Sequence, residues 1–436
     1  MNICMVGTGY VGLVAGTCLA DFGMNVTCVD IDKEKIDRLN RGEVPIYEIG
    51  LSELIARNVK LERLRFSTGL AEAVDRSLVV FLAVGTPEGE GGRPDLRALY
   101  EVARQVGACM TEYKVIAIKS TVPVGTSREI RRIVRQSLKT PIDFDIVSNP
   151  EFLREGAAIN DFLRPDRIIL GSDSERALAI MRDLYRPLYL LKKPIVSTSN
   201  ETAELIKYAA NTMLALRISY INEIANLCDL VGADVYDVAV ALGMDKRIGP
   251  KFLHPGPGFG GSCFPKDVKA LAHLAQEHDY EFRIVDAVVA VNAHQREVIL
   301  NKSRQTLGGF QGKTVTILGL SFKPDTDDTR ESPAIHMAQA LLGEGAAVQA
   351  YDPAAMNEAK RVLPQIKCDN NPYSACENSD LVMIVTEWNE FRDLDLARVR
   401  TLVRTPNLYD TRNLYEPSQV RALGFNYLCT GRSAVK

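Results

Sequence analysis

The sequence predicts an α/β protein in which two doubly wound domains flank an all-helical middle domain. Three observations support this fold class. Short apolar strands alternate with helical patterns in the first half, a long stretch without glycine or proline follows, and a second strand-loop-helix-strand pattern begins after Gly312. We place the domains at residues 1–196, 197–300 and 301–436.

The first domain shows the βαβ pattern of a parallel sheet. A helix is expected at Leu96–Met110 between two of the strands. The predicted strands are Asn2–Val6, Val26–Asp30, Val79–Val84, Val115–Lys119 and Asp145–Ser148.

The middle domain begins with a stretch from Ile195 to Val231 that has no glycine or proline. Apolar residues recur there at helical spacing, as at Leu205, Ala209 and Met213. One helix of about 30 residues would be about 45 Å long. Two helices with a break near Tyr220 are the alternative.

The third domain repeats the order of the first. After Gly312 we expect a strand at Val315–Leu320, a helix around Ala334–Leu342, and strands at Val348–Asp352 and Leu381–Thr386. The order β-loop-α-β-Asp predicts a second Rossmann-like domain.

Composition narrows the function classes. The 436 residues are 46% hydrophobic and 25% charged, with a formal charge of −3 and no basic run, which argues against nucleic acid as the main partner. No apolar stretch is long enough for a bilayer. The nine cysteines and five histidines show no metal-ligand spacing, so no metal is expected. The absence of a signal-like N-terminus and the odd cysteine count favour a reducing cytoplasm.

A glycine-rich turn, GTGYVG at Gly7–Gly12, follows the first predicted strand and opens a helix. Its glycines allow close approach of a pyrophosphate to the helix N-terminus. Asp30 ends the second strand, where a carboxylate binds a ribose diol and repels a 2′-phosphate. The pattern predicts a Rossmann-like domain that prefers NAD to NADP.

Two threonines also follow predicted strands. Thr86 lies in GTP at Gly85–Pro87 and Thr121 in KSTVPVGT at Lys119–Thr126. Residues just past parallel strands line the ligand crevice, so both are candidate contacts of cofactor or substrate. Capping of a helix is the alternative for each.

Two pairs of polar residues have helical spacing. Glu151 and Glu155 in NPEFLREG share one face if that segment is helical, and paired acids can hold water or transfer protons. A solvated first helical turn is the alternative. Lys207 and Asn211 project from an apolar helix and can stabilise an oxyanion, unless the lysine simply faces solvent.

The segment GFGGSCFPKD at Gly258–Asp267 places Cys263 between a glycine-rich turn and the pair Lys266-Asp267. A nearby cation favours the thiolate and makes the sulfur a nucleophile. Simple alcohol oxidation needs no such thiol, so a covalent intermediate is predicted. Farther on, Lys323 and Arg330 lie in the acid-rich loop FKPDTDDTRESP and could bind phosphates. The alternative is that this is a charged loop on the surface.

Taken together, these blocks resemble the UDP-glucose/GDP-mannose dehydrogenase family over nearly the whole chain. The resemblance rests on nine motifs in family order. They are GTGYVG, PIYE at Pro45–Glu48, GTP, KSTVPVGT, NPEFLREG, AELIKYAANT at Ala203–Thr212, GFGGSCFPKD, FKPDTDDTRESP and YDTRN at Tyr409–Asn413.

The resemblance implies oxidation of C6 of a nucleotide sugar from alcohol to acid with two NAD and one water. Cys263 would form a thiohemiacetal and then a thioester, which water hydrolyses. The implied helpers are Lys207 and Asn211 for the oxyanions, Asp267 with Thr121 for water, and Glu151 as acid/base. Lys207 is also a candidate base.

Binding residues are carried over from the same motifs. Those implied for NAD are Gly7, Gly9, Tyr10, Val11, Gly12, Asp30, Lys35, Thr86, Thr121, Glu155, Lys266 and Arg330. Those implied for the substrate are Glu151, Phe152, Leu153, Arg154, Glu155, Lys207, Asn211, Phe252, Leu253, His254, Pro255, Gly256, Gly260, Lys323 and Arg412. Arg247 would reach the substrate of a neighbouring subunit, which with the apolar middle helix suggests a homodimer or larger oligomer.

The stretch Arg247–Gly261 resembles the branch of the family that acts on UDP-glucose, which implies UDP-glucose as the substrate and UDP-glucuronate as the product. A sibling acting on GDP-mannose or a UDP-N-acetylhexosamine is the closest alternative. A β-hydroxyacid dehydrogenase would explain neither Cys263 nor the third domain, and a non-catalytic NAD and nucleotide-sugar sensor would not need Cys263. Ile49 stands where relatives usually have proline, in a loop expected to lie away from the chemistry.

Overall fold

The computed structural model describes residues 1–432, so the last four residues of the predicted third domain lie outside it. The described chain forms two compact units. The first covers Met1–Ala210 and the second begins at Asn211. Division of the chain into three domains remains a prediction.

The first unit is built on an eight-stranded sheet with the order β3-β2-β1-β4-β5-β6-β7-β8. All neighbours are parallel except β6 and β7. From β1 the strands β2 and β3 follow on one side of the sheet, and β4 and the later strands follow on the other side. The connections at β1 and β4 therefore diverge, which leaves a crevice at the carboxyl ends of these two strands. The strands are β1 Asn2–Val6, β2 Asn25–Val29, β3 Leu64–Ser67, β4 Val79–Leu82, β5 Lys114–Ile118, β6 Phe144–Ser148, β7 Ile168–Gly171 and β8 Ile195–Thr198.

Helices cover the sheet, and two apolar clusters fill the space between them and the strands. Strands β4 and β5 are buried along their whole length, as expected when both faces of a parallel sheet are covered. The helices are α1 Tyr10–Asp21, α2 Lys33–Asn40, α3 Leu51–Lys60, α4 Leu70–Asp75, α5 Arg97–Cys109, α6 Thr126–Ser137, α7 Ala158–Leu163, α8 Glu175–Leu184 and α9 Arg186–Leu190.

The boundary between the units falls within one 32-residue helix, α10, at Asn200–Val231. The predicted long helix is therefore confirmed, and the alternative break near Tyr220 is wrong. The helical pattern begins later than expected, because Ile195–Thr198 is strand β8, which pairs with β7.

The second unit holds a six-stranded parallel sheet with the order β11-β10-β9-β12-β13-β14. Its strands are β9 Thr314–Leu318, β10 Ala347–Tyr351, β11 Lys367–Cys368, β12 Leu381–Ile384, β13 Asn407–Asp410 and β14 Asn426–Cys429. Its helices are α11 Val235–Met244, α12 Phe264–Glu277, α13 Arg283–Leu307, α14 Pro333–Gly343, α15 Met356–Val362, α16 Pro372–Cys376, α17 Asn389–Arg392, α18 Leu396–Leu402 and α19 Pro417–Ala422.

The fold class is confirmed: one largely parallel and one fully parallel sheet with helices on their faces, and a helical middle region. None of the helices within residues 1–432 combines the length and the apolar character that a membrane crossing requires.

Candidate active site

The glycine-rich turn lies at the crevice between β1 and β4, and its glycines have different roles. A Cβ on Gly7 (φ 102°) would lie 2.7 Å from the Ala83 carbonyl oxygen, and one on Gly12 would lie 2.0 Å from the Gly7 carbonyl oxygen. A Cβ on Gly9 would meet nothing within 4 Å. Gly9 caps α1 without a side-chain hydrogen bond. The turn therefore leaves open space at a helix N-terminus, as a pyrophosphate requires.

Asp30 stands at the end of β2 beside this turn. Its Oδ2 accepts hydrogen bonds from the Thr8 amide at 2.8 Å and the Thr8 hydroxyl at 2.6 Å, and Lys35 Nζ lies 3.5 Å away. Burial alone would raise the pKa of Asp30, but the Thr8 and Asp32 hydrogen bonds and Lys35 outweigh it and lower that pKa. An ionised carboxylate thus lies beside the turn, as the NAD prediction requires.

Thr86 and Thr121 meet at the carboxyl ends of β4 and β5. The Thr86 hydroxyl donates to the Thr121 carbonyl oxygen at 2.8 Å. Thr86 is buried, whereas Thr121 is half-exposed at the rim of the crevice. The two candidate residues are therefore neighbours at the same edge of the sheet, and Thr121 is the more accessible of the two to a ligand.

Glu151 and Lys207 form a buried ion pair. Lys207 Nζ lies 3.0 Å from Glu151 Oε1 and donates to the Glu151 carbonyl oxygen at 2.7 Å. Burial would raise the pKa of Glu151, but Lys207, the Leu153 amide and Lys119 together lower it. Glu151 and Glu155 do not share a helical face, because residues 151–157 form no helix. Lys207 is also buried, so the solvent-facing alternative is wrong.

A second buried lysine lies next to this pair and was missed in the sequence. Lys119 is 4% exposed, donates to Asn149 Oδ1 at 3.4 Å and lies 5.8 Å from the centre of the Phe162 ring. The same Asn149 oxygen accepts from the Tyr185 hydroxyl at 2.6 Å. Burial lowers the pKa of Lys119 to about 8, with a further lowering by Lys207 that Glu151 opposes.

Glu48 joins the nucleotide turn to the segment that follows β6. Its carboxylate accepts hydrogen bonds from the Tyr10 hydroxyl and from the amides of Gly156 at 2.7 Å and Ile159 at 3.3 Å. Ile49 is 62% exposed, but its loop does not lie away from the glycine-rich turn, contrary to expectation. Its neighbour Glu48 contacts the nucleotide turn directly.

In the second unit, Cys263 caps α12, and Asp267 lies one turn farther along that helix. Asp267 is 1% exposed and has a partner for each oxygen. Asn211 Nδ2 donates to Oδ2 at 2.6 Å, and Lys266 Nζ donates to Oδ1 at 2.7 Å. Cys263 Sγ lies 3.6 Å from the Ser262 hydroxyl. The thiol thus lies at a helix N-terminus, where the backbone dipole favours a thiolate.

The glycines before Cys263 pack closely on the acid-rich loop. A Cβ on Gly260 would lie 2.3 Å from the Glu331 carbonyl oxygen, and one on Gly261 would lie 2.8 Å from the Phe322 ring. In that loop Arg330 pairs with Asp328 at 2.8 Å. The structure therefore brings the predicted residues Gly260 and Arg330 into neighbouring segments of the second unit.

The predicted segment Phe252–Gly256 lies beside Arg412. A Cβ on Gly256 would meet an Arg412 guanidinium nitrogen at 3.0 Å. The Gly256 amide donates to Asn222 Oδ1 at 2.8 Å, and its carbonyl oxygen accepts from Gln295 at 3.0 Å. Buried amide side chains of α10 and α13 thus hold this segment, a role that sequence reasoning did not assign.

The second sheet has its own loop at the switch point, between β9 and β12. Asp352, the counterpart of Asp30, is fully buried and accepts from the amides of Leu320 at 2.7 Å and Ser321 at 3.0 Å. Trp388 Nε1 also donates to it at 3.1 Å. Because its carboxylate is buried and accepts hydrogen bonds from protein groups, Asp352 is not available to bind a ribose as Asp30 is expected to do.

Arg247 is on the surface of the second unit. Its guanidinium pairs with Asp245 at 2.6 Å, and its side chain is 89% exposed. The preceding α10 supports this loop, because Arg217 donates to the carbonyl oxygens of Ile248 at 2.7 Å and Gly249 at 2.6 Å. Within residues 1–432 no cluster of three or more ligand-type side chains suits a metal ion.

Three models of the UDP-glucose/GDP-mannose dehydrogenase family match the chain: its NAD binding domain at residues 1–189, its central domain at 201–294 and its UDP binding domain at 316–417. The UDP-glucose 6-dehydrogenase of Rhizobium meliloti (strain 1021) is 50% identical, over 99% of this chain and 100% of that protein.

Solved structures agree with the sequence comparison. A UDP-glucose dehydrogenase from the archaeon Pyrobaculum islandicum superposes with a TM-score of 0.92 at 36% identity, covering 99% of this chain and 97% of the other. A UDP-D-ManNAc dehydrogenase from Pyrococcus horikoshii has a TM-score of 0.88 at 27% identity, covering all of both chains. The chain therefore belongs to the UDP-glucose/GDP-mannose dehydrogenase family.

Proposed function

We propose that this protein oxidises UDP-glucose at C6 to UDP-glucuronate with two NAD. The observation that carries the proposal is Cys263 at the N-terminus of α12, one turn before a buried Asp267 that Asn211 and Lys266 hold. An open dinucleotide turn without such a thiol would serve a two-electron dehydrogenase. Full-length relatives named UDP-glucose 6-dehydrogenase favour this sugar nucleotide.

When bound, NAD accepts a hydride from C6 in each of the two oxidations. The chain handles the protons and the charge on oxygen. Lys207 and Asn211, four residues apart on α10, stabilise negative charge on the C6 oxygen. Glu151, ion-paired with Lys207, is the acid/base partner, and Lys207 is the alternative base.

Cys263 keeps the half-oxidised sugar bound. Its sulfur adds to the C6 aldehyde, and the oxygen takes up a proton to give a thiohemiacetal. Loss of the second hydride from C6 and of the hydroxyl proton leaves a thioester. Water, positioned by Asp267 and Thr121, then cleaves the C6–sulfur bond and releases the carboxylate and the thiol.

The nucleotide sugar is held by backbone-rich segments with a few cations. In the second unit Phe252–Gly256, Gly260, Lys323 and Arg412 are the proposed contacts, and Phe152–Glu155 contribute from the first. The cofactor takes Asp30, Lys35, Thr86 and Thr121, with Glu155, Lys266 and Arg330 as further contacts.

A homodimer through the middle helices completes the proposal. On α10 the exposed apolar residues Met213, Tyr220 and Leu227 recur every seven residues, which is the spacing of a helix that packs on another helix. On α11, Met244 is 76% exposed, and Val240 is also exposed. A second copy covers such a stripe through the same face, and it would place Arg247 at the partner's substrate.

The test is the yield of NADH from a panel of UDP-glucose, UDP-N-acetylhexosamines and GDP-mannose. We expect two NADH per UDP-glucose and UDP-glucuronate as the product. Turnover of GDP-mannose or a UDP-N-acetylhexosamine alone would reassign the substrate within the family. Binding of NADH and UDP-glucose without any turnover would instead favour a sensor. A cytoplasmic location remains a prediction from the sequence.

A further inference from the structure

Glu48 is a buried carboxylate outside the proposed catalytic set. It is 8% exposed, lies just before α3, and binds two parts of the first unit at once. One oxygen accepts from the Tyr10 hydroxyl and from the Gly156 amide at 2.7 Å, and the other accepts from the Ile159 amide at 3.3 Å. A carboxylate buried among three donors fixes the groups that donate to it.

Tyr10 connects Glu48 to the dinucleotide turn. It is the first residue of α1 and the fourth residue of GTGYVG, so its backbone belongs to the proposed pyrophosphate site. Its hydroxyl oxygen also accepts from the Gly156 amide at 2.9 Å. Burial, the hydrogen bond to Glu48 and the Glu48 charge raise the pKa of Tyr10 far above its usual range, so the phenol stays a donor.

The segment Glu151–Gly156 is therefore fastened at both ends within the first unit. At one end Glu151 binds Lys207 at 3.0 Å. At the other end the Gly156 amide binds Tyr10 and Glu48. Between them the segment forms no helix and no strand, so its shape depends on side-chain contacts. Besides the two end anchors, the Arg154 amide and guanidinium donate to Asp161 at 2.9 and 2.6 Å.

We propose that Glu48 is a positioning residue that couples the dinucleotide turn to the segment Glu151–Gly156. A pyrophosphate on the turn holds the first residues of α1, Tyr10 passes this constraint to Glu48, and Glu48 holds Gly156 and Ile159. The segment thereby becomes more ordered when the dinucleotide is bound, before the sugar arrives. This inference rests on the proposed function in giving the segment a substrate-binding role. Because Glu155 of the segment is also a proposed cofactor contact, the comparison of the variants with the wild type decides the coupling.

Amide hydrogen exchange with and without NADH tests the coupling without any turnover. In the wild-type protein, NADH should slow exchange in peptides that cover residues 151–160 by about three-fold or more. In Glu48→Gln and in Tyr10→Phe that slowing should be lost, although titration shows that NADH still binds. Glu53→Gln, an exposed acid on the neighbouring α3, is the matched control and should behave as the wild type does.

Kinetics add a readout that a loss of stability alone would not produce. Both variants should raise the KM for UDP-glucose about ten-fold at saturating NAD, with a much smaller change in kcat. Two outcomes would overturn the proposal. One is that NADH slows amide exchange equally in the wild type and in Tyr10→Phe, and the other is that NADH does not slow exchange of residues 151–160 in the wild type. If UDP-glucose is not a substrate, the kinetic arm fails but the exchange arm still decides the role of Glu48.

Discussion

Lys207 Nζ lies 3.0 Å from Glu151 Oε1, and the two side chains are only 4% and 5% exposed. Lys207 comes from a long helix, and Glu151 from an irregular segment after β6. Removal of either partner of an ion pair so far from solvent would leave a buried charge without compensation. The pair therefore has a structural role in addition to the catalytic role that we propose for it.

Glu151→Gln should lower the free energy of unfolding by about 3 kcal/mol, since it leaves the Lys207 ammonium buried and unpaired. The double variant Glu151→Gln/Lys207→Met should recover most of that loss. Urea unfolding of both single variants and the double variant measures the coupling as a double-mutant cycle. Losses that simply add would contradict a buried, mutually dependent pair.

Lys119→Met should change the pH dependence of stability. Burial lowers the pKa of Lys119 to about 8 in the folded protein, whereas in the unfolded chain the pKa of this lysine is near its ordinary value of 10.5. Between these two values the unfolded state binds more protons, so this group's contribution to stability rises with pH. Below pH 8 the charged Lys119 lowers the free energy of unfolding by about 3 kcal/mol relative to its value above pH 10.5.

The advantage of Lys119→Met over the wild type should thus be larger at pH 7 than at pH 10 in paired urea unfolding experiments. The exposed Lys139→Met is the control and should show little pH dependence. A stability difference that stays constant from pH 7 to pH 10 would argue against a depressed pKa at Lys119.

Gly9→Ala and Gly12→Ala should fail in different ways. A Cβ at Gly9 enters open space, so that variant should fold normally but bind NAD at least ten-fold more weakly. A Cβ at Gly12 would lie 2.0 Å from the Gly7 carbonyl oxygen, so that variant should lose stability as well. Thermal unfolding and NADH titration separate the two effects. A normal affinity of Gly9→Ala for NADH would show that the pyrophosphate does not bind next to Gly9.

Cys263→Ser should abolish complete four-electron turnover, with at least a hundred-fold loss in UDP-glucuronate formation. A hydroxyl is a far weaker nucleophile than a thiolate, so any adduct at position 263 would be an ester that hydrolyses slowly. Product analysis and intact-protein mass spectrometry provide the measurements, with the half-buried Cys368→Ser as the control. Undiminished turnover would refute the thioester route.

Tyr220→Glu together with Leu227→Glu should convert a dimer to a monomer. The two side chains are 50% and 52% exposed on one face of α10, and charges there would have to be buried in a dimer. Light scattering gives the mass of each form. Leu423→Glu, at an exposed apolar residue directly after α19, should leave the assembly unchanged. A wild-type monomer would exclude the proposed interface.

Much of the fold could be predicted because apolar strands are easy to recognise. The prediction for β1, Asn2–Val6, matches residue for residue, and the prediction for β5 is displaced by one residue. Strand β8 was missed because its four residues are largely exposed and carry little apolar signal. Strand β3 was missed because only four residues form it, and Arg65 interrupts its apolar run.

The candidate site was predicted less completely, and the missed residues are instructive. Lys119 and Glu48 are ionisable, and a pattern of sequence alone assigns such residues to the surface. Their burial depends on partners distant in sequence, such as Asn149 for Lys119 and Gly156 for Glu48. The motifs KSTVPVGT and PIYE contained both residues, but only the fold supplies their contacts.

The burial of Asp352 in the second unit has a kinetic consequence. Since Asp352 is committed to Leu320, Ser321 and Trp388, the described chain offers one open dinucleotide turn of this type, at Gly7–Gly12. The two NAD of the proposed reaction would then occupy it in succession, and the first NADH would depart before the second oxidation. The residence time of the sugar on the enzyme therefore has to exceed the time for cofactor exchange, a condition that only a slowly released intermediate satisfies.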